Sequence, residues 1–130
     1  MTFHFDCVFY YVSDLERAIR FYREVLKLTL TSQDAVARFD IDGVLFELVP
    51  HKANGNFPSG RSTGLCLRVD SVEQALQELR SKGVRTGDAE DKGAGILGSF
   101  EDPDGNEISL WQYLAEESSP SGTRPSSPSH

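Results

Sequence analysis

The sequence predicts an α+β domain in which two βαβββ units follow each other in tandem. Two internal matches predict this duplication. A shift of 57 residues superposes Val12 on Val69, together with the helix pattern that follows each of them. A shift of 62 residues superposes Gly43 on Gly105, together with the strand that follows each turn. The two shifts differ by five residues, which places a small change of length among the later strands.

With 130 residues and a net charge of −7, the chain has the size of one domain and an acidic character. The charge disfavours nucleic acids and anionic membranes as partners, because both attract clustered Lys and Arg. It suits a cationic ligand, although acidic surfaces more often serve solubility. No apolar run reaches membrane-spanning length, no signal-peptide pattern is present, and the two cysteines suit a reducing compartment. We therefore expect a cytoplasmic protein.

The first unit, about residues 5–50, begins with a β-rich run over residues 5–12. Alternation places Cys7, Phe9 and Tyr11 on one face and Val8, Tyr10 and Val12 on the other. Ser13 and Glu16 then form a capping-box pattern, which predicts that a helix begins at this point. Apolar residues at helical spacing predict its buried stripe, namely Leu15, Ala18, Ile19, Tyr22 and Leu26, widened by Phe21 and Val25.

Three short strands complete the first unit, over residues 28–32, 35–41 and 44–49. The dipeptide Asp42-Gly43 predicts a tight hairpin between the last two. Residues 51–62 are rich in Gly, Asn, Ser and Pro and predict a linker.

The second unit, about residues 63–113, repeats the pattern of the first. A strand over residues 64–69 leads to a helix, with Asp70 and Glu73 as the predicted cap and Gly83 as the predicted stop. The helix stripe consists of Val72, Ala75, Leu76 and Leu79. Strands follow over residues 84–86, about 95–100 and 106–113. The domain therefore spans residues 1–113, and the Ser/Pro-rich residues 114–130 predict a disordered tail.

Each unit is expected to cover one face of its sheet with its own helix, which leaves the opposite face available for a pocket. Residues with the parity of that face form the candidate ligand pocket: Cys7, Phe9, Tyr11, Glu47, Cys66, Arg68, Glu107, Ser109 and Trp111. The aromatic members would stack on a flat or apolar ligand, or else belong to a core or an interface. The two cysteines fit small buried fillers better than nucleophiles, because no His is placed to activate them.

Two readings of Glu47 are open at this point. It is a polar residue that is solvated or paired with an Arg such as Arg68, or it orients a ligand or acts as a catalytic general base. Arg68, for its part, either pairs with a carboxylate of the protein or holds a ligand carboxylate.

The tandem βαβββ pattern, the run from Val12 to Tyr22 and the turn Asp102-Pro103-Asp104-Gly105-Asn106 resemble the vicinal oxygen chelate superfamily. This group includes glyoxalase I, bleomycin-resistance and fosfomycin-resistance proteins and extradiol dioxygenases. The resemblance implies curved mixed sheets around a cleft, with the helices outside and units that pair within or between chains. Together with the aromatic first strand, it favours a homodimer. Relatives have Gly where this chain has Lys27, so we expect the first helix to end differently.

Metal-dependent members of the superfamily supply ligands at positions that match Cys7, Glu47, Gly64 and Ser109 of this chain. They resemble a His, Glu, His, Glu arrangement, of which only Glu47 is kept here. His4 is expected on the opposite strand face, and His51 lies too far along the strand from Glu47. The resemblance therefore implies a metal-independent protein without a cofactor.

The leading functional hypothesis is a glyoxalase-like protein that binds a small organic ligand, for instance by bleomycin-resistance-type sequestration. The alternatives are a divalent-metal-dependent lyase, transferase or dioxygenase with an atypical ligand set, and a non-catalytic dimeric interaction protein. The sequence leaves open whether the protein is an enzyme.

Overall fold

The structure is a computed structural model that describes residues 1–51 and 62–114. The predicted linker and tail fall almost entirely outside these residues. The strands are β1 (Val8–Val12), β2 (Thr29–Gln33), β3 (Ala37–Ile41), β4 (Val44–Pro50), β5 (Ser62–Arg68), β6 (Glu90–Asp91), β7 (Gly95–Glu101) and β8 (Glu107–Tyr113). The helices are α1 (Leu15–Arg20), which continues into a π-helical segment (Phe21–Val25), and α2 (Val72–Ser81). None of the described helices has the length and apolar character needed to cross a membrane.

The strands form two four-stranded sheets with the same order in each repeat, β1-β4-β3-β2 and β5-β8-β7-β6. In the first sheet β1 runs parallel to β4, whereas β3 is antiparallel to both β4 and β2. The predicted tandem βαβββ architecture is thereby confirmed. The strand predicted over residues 84–86 is wrong in detail, because Thr86 makes only an isolated bridge to Phe100 and the paired strand is β6.

The chain divides into two compact units. Unit 1 comprises Met1–Leu65 and Glu101–Ile108, and unit 2 comprises Cys66–Phe100 and Ser109–His130. Unit 1 therefore combines the whole first repeat with the beginning of β5 and the turn between β7 and β8 of the second repeat.

One face of the first sheet is buried and packs an aromatic core. Its buried strand residues are Tyr10, Val12, Ala37, Phe39, Phe46 and Leu48, and the buried helix residues of this unit include Ala18, Ile19, Phe21 and Tyr22. The ring of Tyr22 lies 5.2 Å from that of Phe46, and the ring of Tyr10 lies 5.3 Å from that of Phe46 in edge-to-face contact. This packing confirms the predicted helix stripe.

Both helices begin one residue later than the capping pattern predicts. The N-cap of α1 is Asp14, whose side chain accepts a hydrogen bond from the Arg17 backbone N–H, and the N-cap of α2 is Ser71, which accepts from Gln74. Ser13 is not the cap because its hydroxyl donates to Asp104 Oδ1 at 2.6 Å.

The first helix ends in a left-handed residue, contrary to the expectation for Lys27. Lys27 has φ 63°, and the Leu28 N–H donates to the Tyr22 carbonyl at 3.0 Å, which closes the helix end with a bond one residue wider than the 6→1 bond of a Schellman turn. The interval from the cap at 14 to position 27 is 13 residues, whereas the interval from the cap at 71 to the left-handed Gly83 is 12. The π-helical segment accommodates the additional residue, since a π turn holds one residue more than an α turn.

The turn between β7 and β8 fastens this end of the second repeat to β1 and α1 within unit 1. Asp102 is 4% exposed and accepts hydrogen bonds from the Tyr22 hydroxyl at 2.7 Å and from the Asn106 side-chain amide at 2.9 Å. The same amide donates to the Tyr11 carbonyl oxygen at 3.1 Å. This contact fixes the backbone of β1 at the residue whose side chain lies on the opposite, more exposed face.

Candidate functional site

The first sheet has an open face, which we define as the face opposite α1. Alternation places Phe9 and Tyr11 of β1 and Glu47 of β4 there, and Cys7, which directly precedes β1, has the same parity. Phe9 is 48% and Tyr11 37% exposed. Phe9 pairs with Glu47, and Glu47 pairs with Arg38 on β3. An aromatic ring, a carboxylate and a guanidinium therefore follow one another across three neighbouring strands.

Arg38 holds the polar part of the open face in place. Its Nε lies 3.4 Å from Glu47 Oε2, and its Nη1 lies 3.3 Å from Asp34 Oδ2 and 3.2 Å from the Ser32 hydroxyl. One guanidinium is thus shared between two carboxylates. Backbone N–H donation from Val36, followed by the bond from Arg38, lowers the pKa of Asp34, so that this carboxylate is charged throughout the neutral range.

The aromatic part of the open face is a chain of edge-to-face contacts. The ring of Phe9 lies 5.4 Å from that of Tyr11, and the ring of Tyr11 lies 5.2 Å from the imidazole of His51. His51 directly follows β4, and its backbone N–H donates to the Val12 carbonyl oxygen at 3.0 Å. Phe9 and Tyr11 keep 48% and 37% exposure in this arrangement, so a flat group that approaches the sheet can contact both rings.

Cys7 lies near this group but lacks the features of a reactive thiol. Desolvation raises the pKa of its thiol, and the charges of Glu47 and Asp6 raise it further. A raised pKa keeps the thiol protonated at neutral pH, and a thiol is both a weak nucleophile and a poor metal ligand. The prediction that both cysteines are small buried fillers is nevertheless wrong in part, because Cys7 is half-buried and Cys66 is exposed.

The remaining predicted pocket residues are distributed over both compact units. Glu107 belongs to unit 1 and is half-buried, whereas Cys66, Arg68, Ser109 and Trp111 belong to unit 2. Cys66 and Arg68 are exposed, Ser109 is half-buried, and partial desolvation raises the pKa of the Cys66 thiol. The structure thus brings together Cys7, Phe9, Tyr11 and Glu47 at the open face of the first sheet.

Trp111 is buried in unit 2 rather than displayed on a surface. It is 6% exposed, and its ring lies 6.0 Å from that of Tyr113 in edge-to-face contact. The indole occupies the space above Gly95, where any side chain would collide with it. Its burial fits the core reading of the predicted aromatic residues.

Sequence reasoning proposed Arg68 as a partner for Glu47 and overlooked Arg38. The signal was present in the hairpin. A two-residue turn at Asp42-Gly43 fixes the strand register, and that register places residue 38 opposite residue 47, as the structure shows. Arg38 therefore contacts Glu47, and the pairing of Glu47 with Arg68, which belongs to the other compact unit, stays a prediction.

The positions that match the superfamily's metal ligands do not fit a divalent metal ion. Gly64 has no side chain, a Ser hydroxyl is a weak donor at position 109, and the carboxylate of Glu47 faces the guanidinium of Arg38. In residues 1–51 and 62–114, no group of three or more His, Cys, Asp or Glu residues is arranged to hold a metal. We derive no metal-dependent step for this chain.

Comparisons with known proteins agree with this architecture. A family model described as the Glyoxalase/Bleomycin resistance protein/Dioxygenase superfamily matches residues 4–110. A search of curated protein sequences finds no match.

Solved structures of similar fold come from several bacteria. TnmS3, an antibiotic binding protein from Streptomyces sp. CB03234, is 26% identical, with a TM-score of 0.67 and coverage of 87% of this chain and 99% of that one. A glyoxalase/bleomycin resistance protein from the same organism is 30% identical, with a TM-score of 0.64 and coverage of 82% and 99%. The fosfomycin resistance protein FosX from Listeria monocytogenes is 16% identical and shares the fold, with a TM-score of 0.70 and coverage of 89% and 98%.

Proposed function

Because the chain belongs to the glyoxalase/bleomycin resistance protein/dioxygenase superfamily, we propose that it binds a small organic ligand on the open face of its first sheet, without a divalent metal. The observation that carries the proposal is the pair of exposed rings, Phe9 and Tyr11, beside the ion pair of Glu47 and Arg38. Ligand sites combine apolar contact area with a few oriented polar groups, and this face offers both. The relatives named as antibiotic-binding and resistance proteins support a role in sequestration.

The metal-independent part of the proposal rests on chemistry at Glu47. A resident guanidinium already neutralises part of its charge, and the neighbouring positions lack strong donors. Titration of the purified protein with nickel, zinc and iron salts is expected to give no stoichiometric uptake. Stoichiometric uptake that is lost in Glu47→Ala would instead favour a metalloenzyme. The catalytic role considered for Glu47 stays a prediction.

A thermal-shift screen of a small-molecule collection tests ligand binding directly. Hits that bind the open face should lose most of their shift in Tyr11→Ser. The matched control is Val44→Ser, which removes a similarly exposed apolar side chain (39%) at the hairpin end of β4 in the same sheet. Hits that respond equally to both changes would contradict a site at Phe9 and Tyr11.

The proposal includes a homodimer that uses the exposed apolar side chains near the N-terminus. Met1, Phe3 and Phe5, which precede β1, are 103%, 85% and 71% exposed. Exposed apolar side chains of this size are typical of contacts between protein chains, and this contact leaves the rings of Phe9 and Tyr11 to the ligand. Light scattering should show a dimer that Phe3→Ser combined with Phe5→Ser dissociates, and a wild-type monomer would refute it.

A further inference from the structure

The charged residues of the first sheet lie on one face. Its four strands contain three charged residues, Arg38, Asp40 and Glu47, and all three have the parity of the open face. Asp34, in the turn before β3, adds a second carboxylate to Arg38. Three carboxylates and one guanidinium give this face a net charge of about −2 at neutral pH.

The carboxylate of Glu47 retains capacity for a further partner. Its Oε2 contacts Arg38, and within the described residues no donor is hydrogen-bonded to its Oε1. The side chain is 21% exposed and is flanked on β1 by Phe9, with which Glu47 is paired across the strands. A ligand atom that approaches over Phe9 would therefore meet a carboxylate oxygen beside an aromatic ring.

Arg38 attracts an anionic ligand less strongly than its charge suggests. Its Nε and Nη1 are occupied by Glu47, Asp34 and Ser32, so an incoming anion would have to share the guanidinium with two carboxylates. It would also meet the charge of Asp40 on the same strand face. An anionic ligand is disfavoured electrostatically, whereas a cation is favoured by the carboxylates and by the negative faces of the aromatic rings.

We propose that the ligand of the open face is an aromatic organic cation, whose flat part stacks on Phe9 and Tyr11 and whose positive group pairs with Glu47. This inference rests on the proposed ligand-binding function and adds the chemical class of the ligand. The net charge of the whole chain favours cationic ligands only in general. Phe9, Tyr11 and Glu47 would add a specific preference for a cation at the open face.

Three probes that share one ring system and differ in charge test the inference: 1-pyrenemethylammonium, 1-pyrenemethanol and 1-pyrenecarboxylate. Their dissociation constants are measured by fluorescence titration of the full chain at ionic strengths of about 0.01 M and about 0.15 M. The cation is expected to bind about tenfold more tightly than the anion at low salt, with the neutral probe between them. The difference should shrink at higher salt, because part of the attraction is screened.

Two variants change the charge of the face in opposite directions. Glu47→Gln should weaken binding of the cation about fivefold and leave the neutral probe unchanged, which corresponds to about 1 kcal/mol for one charge at contact distance. Arg38→Met should strengthen binding of the cation, a result that a purely structural role of the ion pair does not give. Far-UV circular dichroism verifies that each variant is folded.

The matched control is Glu78→Gln, which removes an exposed glutamate on α2 that pairs with Lys82 at 3.4 Å and changes the net charge equally. Equal effects of Glu47→Gln and Glu78→Gln on the cation, or an anion that binds as tightly as the cation, would overturn the inference. If all three probes bind equally and lose affinity in Tyr11→Ser, the proposed binding function stands and only the cation preference fails. If none of the probes binds, both proposals fail at this face.

Discussion

Two turns occupy the same place in the two repeats but have different structural roles. The turn Asp42-Gly43 joins β3 to β4, and the turn at residues 103–105 joins β7 to β8. A shift of 62 residues superposes the exposed Asp40 on Asp102, which is 4% exposed. The first turn is a surface hairpin, whereas the second has become a buried polar junction between the repeats.

The backbone explains why the turns diverged. Asp42 and Gly43 have φ values of 52° and 88°, both left-handed, as a tight hairpin requires. In the second turn Pro103 restricts φ to negative values, and among the turn residues only Gly105 is left-handed, with φ 83°. The Asp102 side chain then accepts hydrogen bonds from the backbone N–H groups of Asp104 and Asn106, which folds the turn around a carboxylate.

A few polar side chains have given the second hairpin a role in joining the repeats. Asp104 accepts hydrogen bonds from the Ser13 N–H and hydroxyl and forms an ion pair with Arg17 at 3.2 Å. Asp42, its counterpart, is exposed in the hairpin. The junction leaves the open face free and fixes β1, on which that face depends.

Asp102→Ala should have the largest effect on stability and separates the two turns most clearly. It leaves the Tyr22 hydroxyl, the Asn106 amide and two backbone N–H groups without their common acceptor, which should cost about 3–5 kcal/mol of unfolding free energy. Asp40→Ala, at the matching exposed position, should change it by less than about 0.5 kcal/mol. Urea unfolding measures both. Similar losses for the two variants would contradict the assigned difference.

Tyr22→Phe tests the same junction through its pH dependence. Burial, followed by the charge of Asp102, raises the pKa of the Tyr22 hydroxyl. The folded state therefore keeps the proton that the unfolded state releases near pH 10, so this contribution is complete below about pH 10 and is lost as pH rises above it. The variant should lose about 1–2 kcal/mol at pH 7 and show a shallower decline of stability above pH 10.

Chemical denaturation at a series of pH values measures that slope. Tyr113→Phe serves as the control, because Tyr113 lies in β8 of unit 2 and is only half-buried. If the unfolding free energy of Tyr22→Phe falls above pH 10 as steeply as that of the wild type, the Tyr22 hydroxyl does not have a raised pKa in the folded state.

Local sequence patterns predicted the strand faces, the first hairpin and the buried stripes of the helices. Alternation identified the open-face residues of β1, and the Asp-Gly dipeptide fixed the hairpin whose register pairs Arg38 with Glu47. The helix stripes also followed from spacing alone. These features depend on neighbours within a few residues, which a sequence displays directly.

Long-range partners limited the rest of the prediction. The cap of α1 was predicted one residue early because Ser13 is engaged by Asp104, 91 positions later in the chain. Trp111 was counted with the pocket residues because strand parity alone does not show that its indole packs over Gly95 on the neighbouring strand β7. The left-handed backbone at Lys27 was not expected, because its cause is one additional residue within the preceding helix.

Exchanges at the two helix ends should give the smallest effects and sharpen the comparison between the repeats. Lys27→Gly should stabilise the protein by about 0.5–1 kcal/mol, because glycine adopts a left-handed φ without steric cost. Gly83→Lys should destabilise it by about 1 kcal/mol, since the space around Gly83 is open and only the backbone conformation opposes the side chain. Lys27→Ala, which removes the charge and keeps the strain, should be nearly neutral. Thermal and urea unfolding measure all three, and a destabilising Lys27→Gly would mean that the lysine side chain itself supports the π-helical segment.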